Sequence, residues 1–254
     1  MKQSAVSVFL LILIVYAGFC GYLYLTQRSF IYFPVPEARD VPAEDLRLRH
    51  GDETLQVWHL SPGRADAIIY FGGNAENVAM NIPDFSRLFP AYSVYLVNYR
   101  GYGASTGRPS EQALYDDALR VYDHVSESHE RISIIGRSLG SGVATWLATN
   151  RPTERLVLVT AFDSIARVAQ ASFPIFPVSL LLQDRFDSAA RADRIRSPTL
   201  IVIAARDEFI PRHSSEALAA AIDPRLVSVT VIDDASHNTI SNFPDYEKAL
   251  GEFL

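Results

Sequence analysis

Ile132-Ser133-Ile134-Ile135-Gly136-Arg137-Ser138-Leu139-Gly140-Ser141-Gly142-Val143 is the stretch on which the reading of this chain turns. Ile132, Ile134 and Ile135 are β-branched and apolar, as a buried strand requires, and residues 141–150 carry a helical pattern. Between them, Gly136-Arg137-Ser138-Leu139-Gly140 has the G-x-S-x-G spacing of a nucleophile elbow, a strained strand-to-helix turn with serine at its apex. The two glycines stand where a Cβ would obstruct neighbouring backbone. The helix that follows directs its N-terminal N–H groups toward the place where negative charge would develop on a substrate. Ordinary glycine-serine turns share this pattern, so its meaning depends on what surrounds it.

Outward from this turn, apolar β-rich runs alternate with helical patterns. The expected strands are residues 55–60, 67–71, 93–99, 131–135, 156–160, 199–204 and 226–232, and the expected helices are 74–89, 110–128, 139–150, 213–221 and 244–253. Several strand runs are continuously apolar, the pattern of strands covered on both faces. The alternation predicts an α/β fold with a mainly parallel sheet and helices on both sides. Residues 165–195 break the rhythm. There Phe173-Pro174-Ile175-Phe176-Pro177-Val178-Ser179-Leu180-Leu181-Leu182 has no strand partner and predicts a small helical cap over residues 163–195. So many large apolar side chains must either pack on the core or line a cavity, and Phe173, Phe176 and Leu181 are the candidate substrate-facing residues.

A serine nucleophile needs a base, an acid to orient that base, and donors for an oxyanion. His237 follows the last expected strand and is the candidate base, whereas His50, His59, His124, His129 and His213 are assigned to surface or framework. Asp207, beyond the strand at 199–204, is the candidate acid, and Asp163, beyond the strand at 156–160, is its rival. Glu208 is expected to point elsewhere on a tight turn. Phe71-Gly72-Gly73-Asn74 ends the strand at 67–71, which makes the backbone N–H groups of Asn74 and Leu139 the candidate oxyanion donors. Glycine-rich turn, serine, aspartate and histidine, each at the carboxyl end of a strand, follow the chain order of an α/β-hydrolase.

The 254 residues are 48% hydrophobic and 20% charged, enough for one α/β domain with an appendage. A net charge of −6 and the lack of any Lys/Arg cluster argue against nucleic acid as a partner. The single cysteine, Cys20, excludes an intrachain disulfide, and no Cys/His spacing suggests a metal site. Residues 5–25 form an almost uninterrupted apolar segment, long enough to cross a hydrocarbon core of ~30 Å at ~1.5 Å per residue. The run exceeds a usual signal core and no A-x-A-like site follows it, so a retained single-pass anchor is expected over a cleaved signal peptide. Phe19 before Cys20 does not fit a lipoprotein signal. Residues 1–4 are then a tail, Tyr22, Tyr24, Phe30, Tyr32 and Phe33 an aromatic belt, and residues 26–45, with Pro34, Pro36 and Pro42, a linker to a domain at 46–254. Lys2 and the α-amine before the span nearly balance Arg28 and Arg39 after it, so charge does not orient the anchor.

With these residues in view, the chain resembles the membrane-anchored members of the α/β-hydrolase domain-containing group. The matching stretches are Gln27-Arg28-Ser29-Phe30-Ile31-Tyr32-Phe33-Pro34, Gly72-Gly73-Asn74-Ala75-Glu76-Asn77, Asn98-Tyr99-Arg100-Gly101-Tyr102-Gly103, Gly136 to Gly140, Asp184-Arg185-Phe186-Asp187, and Asp207 to Pro211. The resemblance implies an α/β-hydrolase fold and a cofactor-free serine hydrolase of lipid-like or acylated substrates, with Ser138, Asp207 and His237 as triad and Asn74 and Leu139 as oxyanion donors. Three positions depart from the group: Gly72-Gly73 replaces a usual His-Gly, Ala204 stands where glycine precedes the acid, and Ser236 stands where glycine often precedes the histidine. Ester or thioester cleavage is the expected activity. An amidase or peptidase on the same fold, and a non-catalytic binding protein, are the alternatives.

Overall fold

The computed structural model describes residues 2–254. Eight strands, β1 (Glu44–His50), β2 (Glu53–Leu60), β3 (Asp66–Phe71), β4 (Tyr92–Val97), β5 (Arg131–Arg137), β6 (Leu156–Val159), β7 (Thr199–Ala204) and β8 (Val227–Ile232), form one sheet in the order β1-β2-β4-β3-β5-β6-β7-β8. β1 and β2 pair antiparallel, as do β2 and β4, and every pairing from β4 to β8 is parallel. The helices are α1 (Lys2–Thr26), α2 (Arg28–Ile31), α3 (Ile82–Leu88), α4 (Glu111–Ser126), α5 (Leu139–Ala148), α6 (Ile165–Ser172), α7 (Val178–Leu181), α8 (Arg212–Ala221) and α9 (Pro244–Phe253).

Successive strand residues point to opposite faces, so a strand buried on both sides must be apolar at every position. β3 is such a strand. Ile69 and Phe71 join a core with Val121 of α4, Val143 of α5 and Leu218 of α8, while Ile68 and Tyr70 join another with Phe85 of α3 and Leu250 of α9. The expected α/β architecture, with a parallel sheet, two helical layers and α6 and α7 as a cap after β6, is the one observed. The fold is that of an α/β-hydrolase.

At the elbow, Ser138 adopts φ 50° and ψ −116°, a conformation that costs a non-glycine residue of order 1–3 kcal/mol. Neighbouring backbone enforces it. A Cβ on Gly140 would fall on the Phe71 carbonyl, and one on Gly136 would meet the Gly140 carbonyl and come within 2.6 Å of the Ala144 Cβ. Without side chains at these positions, the first turn of α5 packs directly on the ends of β3 and β5.

Three segments differ from the sequence expectation. β1 falls at the foot of the expected linker, because its charged residues (Glu44, Asp45, Arg47, Arg49) mask the alternation of Leu46 and Leu48 on this edge strand. The helix expected over 74–89 begins only with a 3₁₀ turn at Val78–Asn81 followed by α3, leaving residues 74–77 as loop. The segment after α1 is a strap docked on the domain: Arg28 pairs with Asp184 at 2.9 Å, Tyr32 donates to Asp184 at 3.1 Å, and Gly103 N–H donates to the Val35 carbonyl at 2.9 Å. Tyr32 is therefore buried inside the domain and takes no part in an aromatic belt.

Gly140→Ala is expected to lower stability by at least ~2 kcal/mol, because the collision is with backbone that cannot move aside. Gly251→Ala, in α9 with open space around it, is expected to raise stability by about 0.5–1 kcal/mol. Urea denaturation of the two variants beside the wild type checks this pair; equal effects would mean that the elbow tolerates a methyl group.

Candidate active site

Parallel strands deliver their carboxyl ends to one edge of the sheet, and the candidate residues all lie there. Asn74 follows β3, Ser138 follows β5, Asp163 follows β6, Asp207 follows β7 and His237 follows β8. Two backbone bonds clamp the last two loops together: Ala205 N–H donates to the Ile232 carbonyl at 3.0 Å and Arg206 N–H to the Ala235 carbonyl at 2.9 Å.

His237 bridges the serine and the acid. Its Nε2 lies 2.9 Å from Ser138 Oγ, and its Nδ1 lies 2.8 Å from Asp207 Oδ2 and 3.0 Å from Oδ1. An ionised carboxylate only accepts, so Nδ1 carries the ring hydrogen and the Nε2 lone pair faces the serine hydroxyl. Asp207 is itself fixed, since its Oδ1 accepts Phe209 N–H at 2.9 Å and Ile210 N–H at 2.8 Å, and its side chain is only 4% exposed. Asp163 is not brought to His237. It accepts from Ser214 Oγ at 2.6 Å, Ser164 N–H at 2.8 Å and Arg167 at 3.0 Å, which ties the end of β6 to α6 and α8. Glu208 does not point elsewhere: its carboxylate accepts His237 N–H at 3.2 Å and holds the histidine loop.

Leu139 opens α5, so its N–H belongs to the first turn, which has no intrahelical acceptor. Asn74 sits on the facing loop. Its side-chain oxygen accepts the Tyr102 hydroxyl at 2.9 Å and Phe33 N–H at 2.9 Å. Burial pushes the Tyr102 pKa up to about 12, so that hydroxyl keeps its proton at any physiological pH.

Beneath the site a buried polar network joins three loops. The Glu76 carboxylate accepts Gly73 N–H, the Tyr70 hydroxyl and the Asn81 amide, each at 2.6 Å, and faces Arg137 at 3.3 Å. Arg137 in turn donates to the His237 carbonyl at 3.2 Å. Burial works against the Arg137 charge, but Glu76, Tyr70 and Tyr246 together outweigh it and the guanidinium pKa is raised. Arg137 occupies a free position of the G-x-S-x-G pattern, so that pattern did not mark it. Glu76 and Phe209 lie in stretches that carry the resemblance, but no local pattern marked the role of Glu76 or the edge-on contact of Phe209 with His237, centroids 5.2 Å apart.

Above Ser138, Leu139 and Asn74 opens an apolar cavity of about 730 Å³. Phe173, Phe176 and Leu181 all lie on its wall, and Ile175 and Leu180 point away from it at 72% and 80% exposure. The cap therefore divides its apolar residues between the cavity and the outside.

With the geometry in place, comparison with known proteins gives the class. Residues 93–242 match the alpha/beta hydrolase domain family. An uncharacterised protein of Mycobacterium tuberculosis is 35% identical over 93% of this chain and 89% of its own length. The protein bem46 of Schizosaccharomyces pombe is 26% identical over 92% of this chain and 87% of its own. Among solved structures, an esterase of Pyrococcus furiosus superposes with a TM-score of 0.67 at 21% identity, covering 87% of this chain and 98% of the esterase. This chain belongs to the alpha/beta hydrolase domain family.

Glu76→Gln leaves the half-buried Arg137 without a counter-charge and is expected to cost about 2–3 kcal/mol, less than for a fully buried pair. Adding Arg137→Met should recover at least half of that loss, because the uncompensated charge is then gone. A double-mutant cycle by chemical denaturation measures both; additive losses would show that the two side chains do not interact.

Proposed function

We propose that this chain is a membrane-anchored serine hydrolase that cleaves a carboxylic ester or thioester of a lipid-like or acylated substrate through an acyl-enzyme intermediate. The observation that carries the reading is the hydrogen-bonded series Ser138, His237, Asp207 opening onto an apolar cavity. In this mechanism His237 Nε2 takes the Ser138 proton as Oγ attacks the substrate carbonyl. The N–H groups of Asn74 and Leu139 receive the oxyanion, a contribution of about 3–4 kcal/mol per donor to the barrier. Collapse of the tetrahedral species expels the alcohol or thiol, which takes the proton back from His237. Water, deprotonated by the same imidazole, then releases the acid and restores Ser138. Asp207 holds the productive tautomer and stabilises the imidazolium throughout. No step calls for a metal or an organic cofactor.

Anchoring rests on α1. Residues Ala5–Thr26 form a helix long and apolar enough to cross a membrane, and nearly all of it lies outside the protein core. The acyl-chain preference over a peptide is supported by the cavity. Its lining is overwhelmingly apolar, which favours an acyl chain over the polar backbone of a peptide.

Ser138→Ala is expected to remain folded and membrane-bound while losing both fluorophosphonate labelling and esterase turnover. Asp207→Asn should lower kcat by about 10³–10⁴-fold, since the amide N–H can face Nδ1 and favour the unproductive imidazole tautomer. Asp163→Asn should act on stability instead, through its bonds to Ser214 and Arg167. Kinetics on a soluble p-nitrophenyl ester, together with thermal denaturation, separate these effects. Wild-type turnover by the Ser138 variant, or a larger kcat loss from Asp163→Asn, would remove the assignment.

A further inference from the structure

The wall of the cavity is not built by the hydrolase domain alone. Phe19, Tyr22 and Leu23 of α1 line it opposite Phe173, Phe176 and Leu181 of the cap. Tyr16, Phe19 and Leu23 recur at helical spacing and therefore form one stripe of α1, and Gln27 follows immediately after its end. That stripe is fastened to the cap along its length. The Tyr16 hydroxyl donates to the Ile175 carbonyl at 2.7 Å, the Phe19 and Phe176 rings lie 5.5 Å apart, and Gln27 donates to the Leu181 carbonyl at 2.9 Å and accepts Gln183 N–H at 2.6 Å.

These contacts fix the depth of the cap. Tyr16 lies about 15 Å along the helix axis from Thr26, half the thickness of a hydrocarbon core of ~30 Å. The part of α1 beyond the cap, residues 2–15, measures only about 21 Å and is too short to span by itself. A spanning α1 therefore draws the cap into one leaflet. The outer surface of the cap suits that position: Ile175 and Leu180 are 72% and 80% exposed, and no charged residue occurs between Phe173 and Leu182.

The geometry points to an acyl pocket completed by the membrane helix, whose occupant is the long acyl chain of a bilayer-resident ester entering from the leaflet, with Phe19, Tyr22 and Leu23 setting the chain length accepted. This rests on the serine-hydrolase reading above and adds to it where the substrate resides and which residues measure it. The anchor is then part of the specificity machinery as well as a tether.

The test uses the full-length chain in phosphatidylcholine vesicles. Leu23→Trp fills the pocket wall and is expected to lower the decanoyl-to-butanoyl ratio of kcat/KM on p-nitrophenyl esters at least tenfold. Leu25→Trp, at a position 82% exposed and outside the cavity, should leave the ratio within twofold of wild type. Equal ratios for the two variants would overturn the assignment of α1 to the pocket. In parallel, Ile175→Trp reports depth: vesicles of acyl-chain-brominated phosphatidylcholine should quench the added tryptophan at least twofold more than Trp58 and Trp146 are quenched in the wild type. No added quenching would place the cap outside the leaflet and overturn lipid entry. If the wild type turns over neither ester, the hydrolase reading fails, and the quenching still decides where the cap sits.

Discussion

The contact between the first turn of α5 and the end of β3 is the constraint from which the site follows. Gly140 lies so close to the Phe71 carbonyl that no side chain fits between them, and Gly136 is closed off on its other side by α5 itself. With both glycines pressed against backbone, the turn between them has little choice of conformation, and Ser138 at its apex is held at positive φ. The same close approach brings the Gly72–Asn74 loop beside the start of α5, so that Asn74, Ser138 and Leu139 line one cavity. Strain at Ser138 is retained because the surrounding packing overdetermines it.

A second constraint binds the domain to its N-terminal segment. The Asp184 carboxylate, 5% exposed, would be costly without partners, and it receives Arg28 and Tyr32 from the strap. One residue further on, Phe33 N–H reaches Asn74 Oδ1, a group also held by the Tyr102 hydroxyl. A continuous set of hydrogen bonds thus runs from the end of α1 to the loop beside Ser138. Two sequence stretches that mark the resemblance to membrane-anchored hydrolases, Gln27 to Pro34 and Asp184 to Asp187, owe their pairing to this contact.

The Glu76–Arg137 network serves the same end from below. Gly73 follows β3, Arg137 ends β5 and His237 follows β8, and the largely buried Glu76–Arg137 pair joins all three. Such pairs contribute little net stability after desolvation but penalise any arrangement that separates the partners. Here the favoured arrangement is the one that keeps Ser138, His237 and the Asn74 loop in register.

Local pattern made much of this legible. Continuous apolar runs such as Ile68 to Phe71 and Leu156 to Val159 determine buried strands, because no polar residue could occupy either face. Ser110 marked the start of α4, where its hydroxyl accepts Ala113 N–H, and glycine at 136 and 140 announced a close backbone approach. The order of Asn74, Ser138, Asp207 and His237 at strand ends followed from the alternation alone. Tertiary structure decided the rest. Which aspartate meets the histidine depends on distances across the sheet edge, and Asp207 and Asp163 both satisfy the sequence rule. Glu76, Arg137 and Asp184 fall in the stretches that carry the resemblance, but they pair with residues up to 156 positions away, so no local pattern names their partners. The docking of α1 on the cap was hidden for the same reason: an apolar stripe bound for lipid and one bound for a protein wall are identical in composition, and only the packed chain separates them.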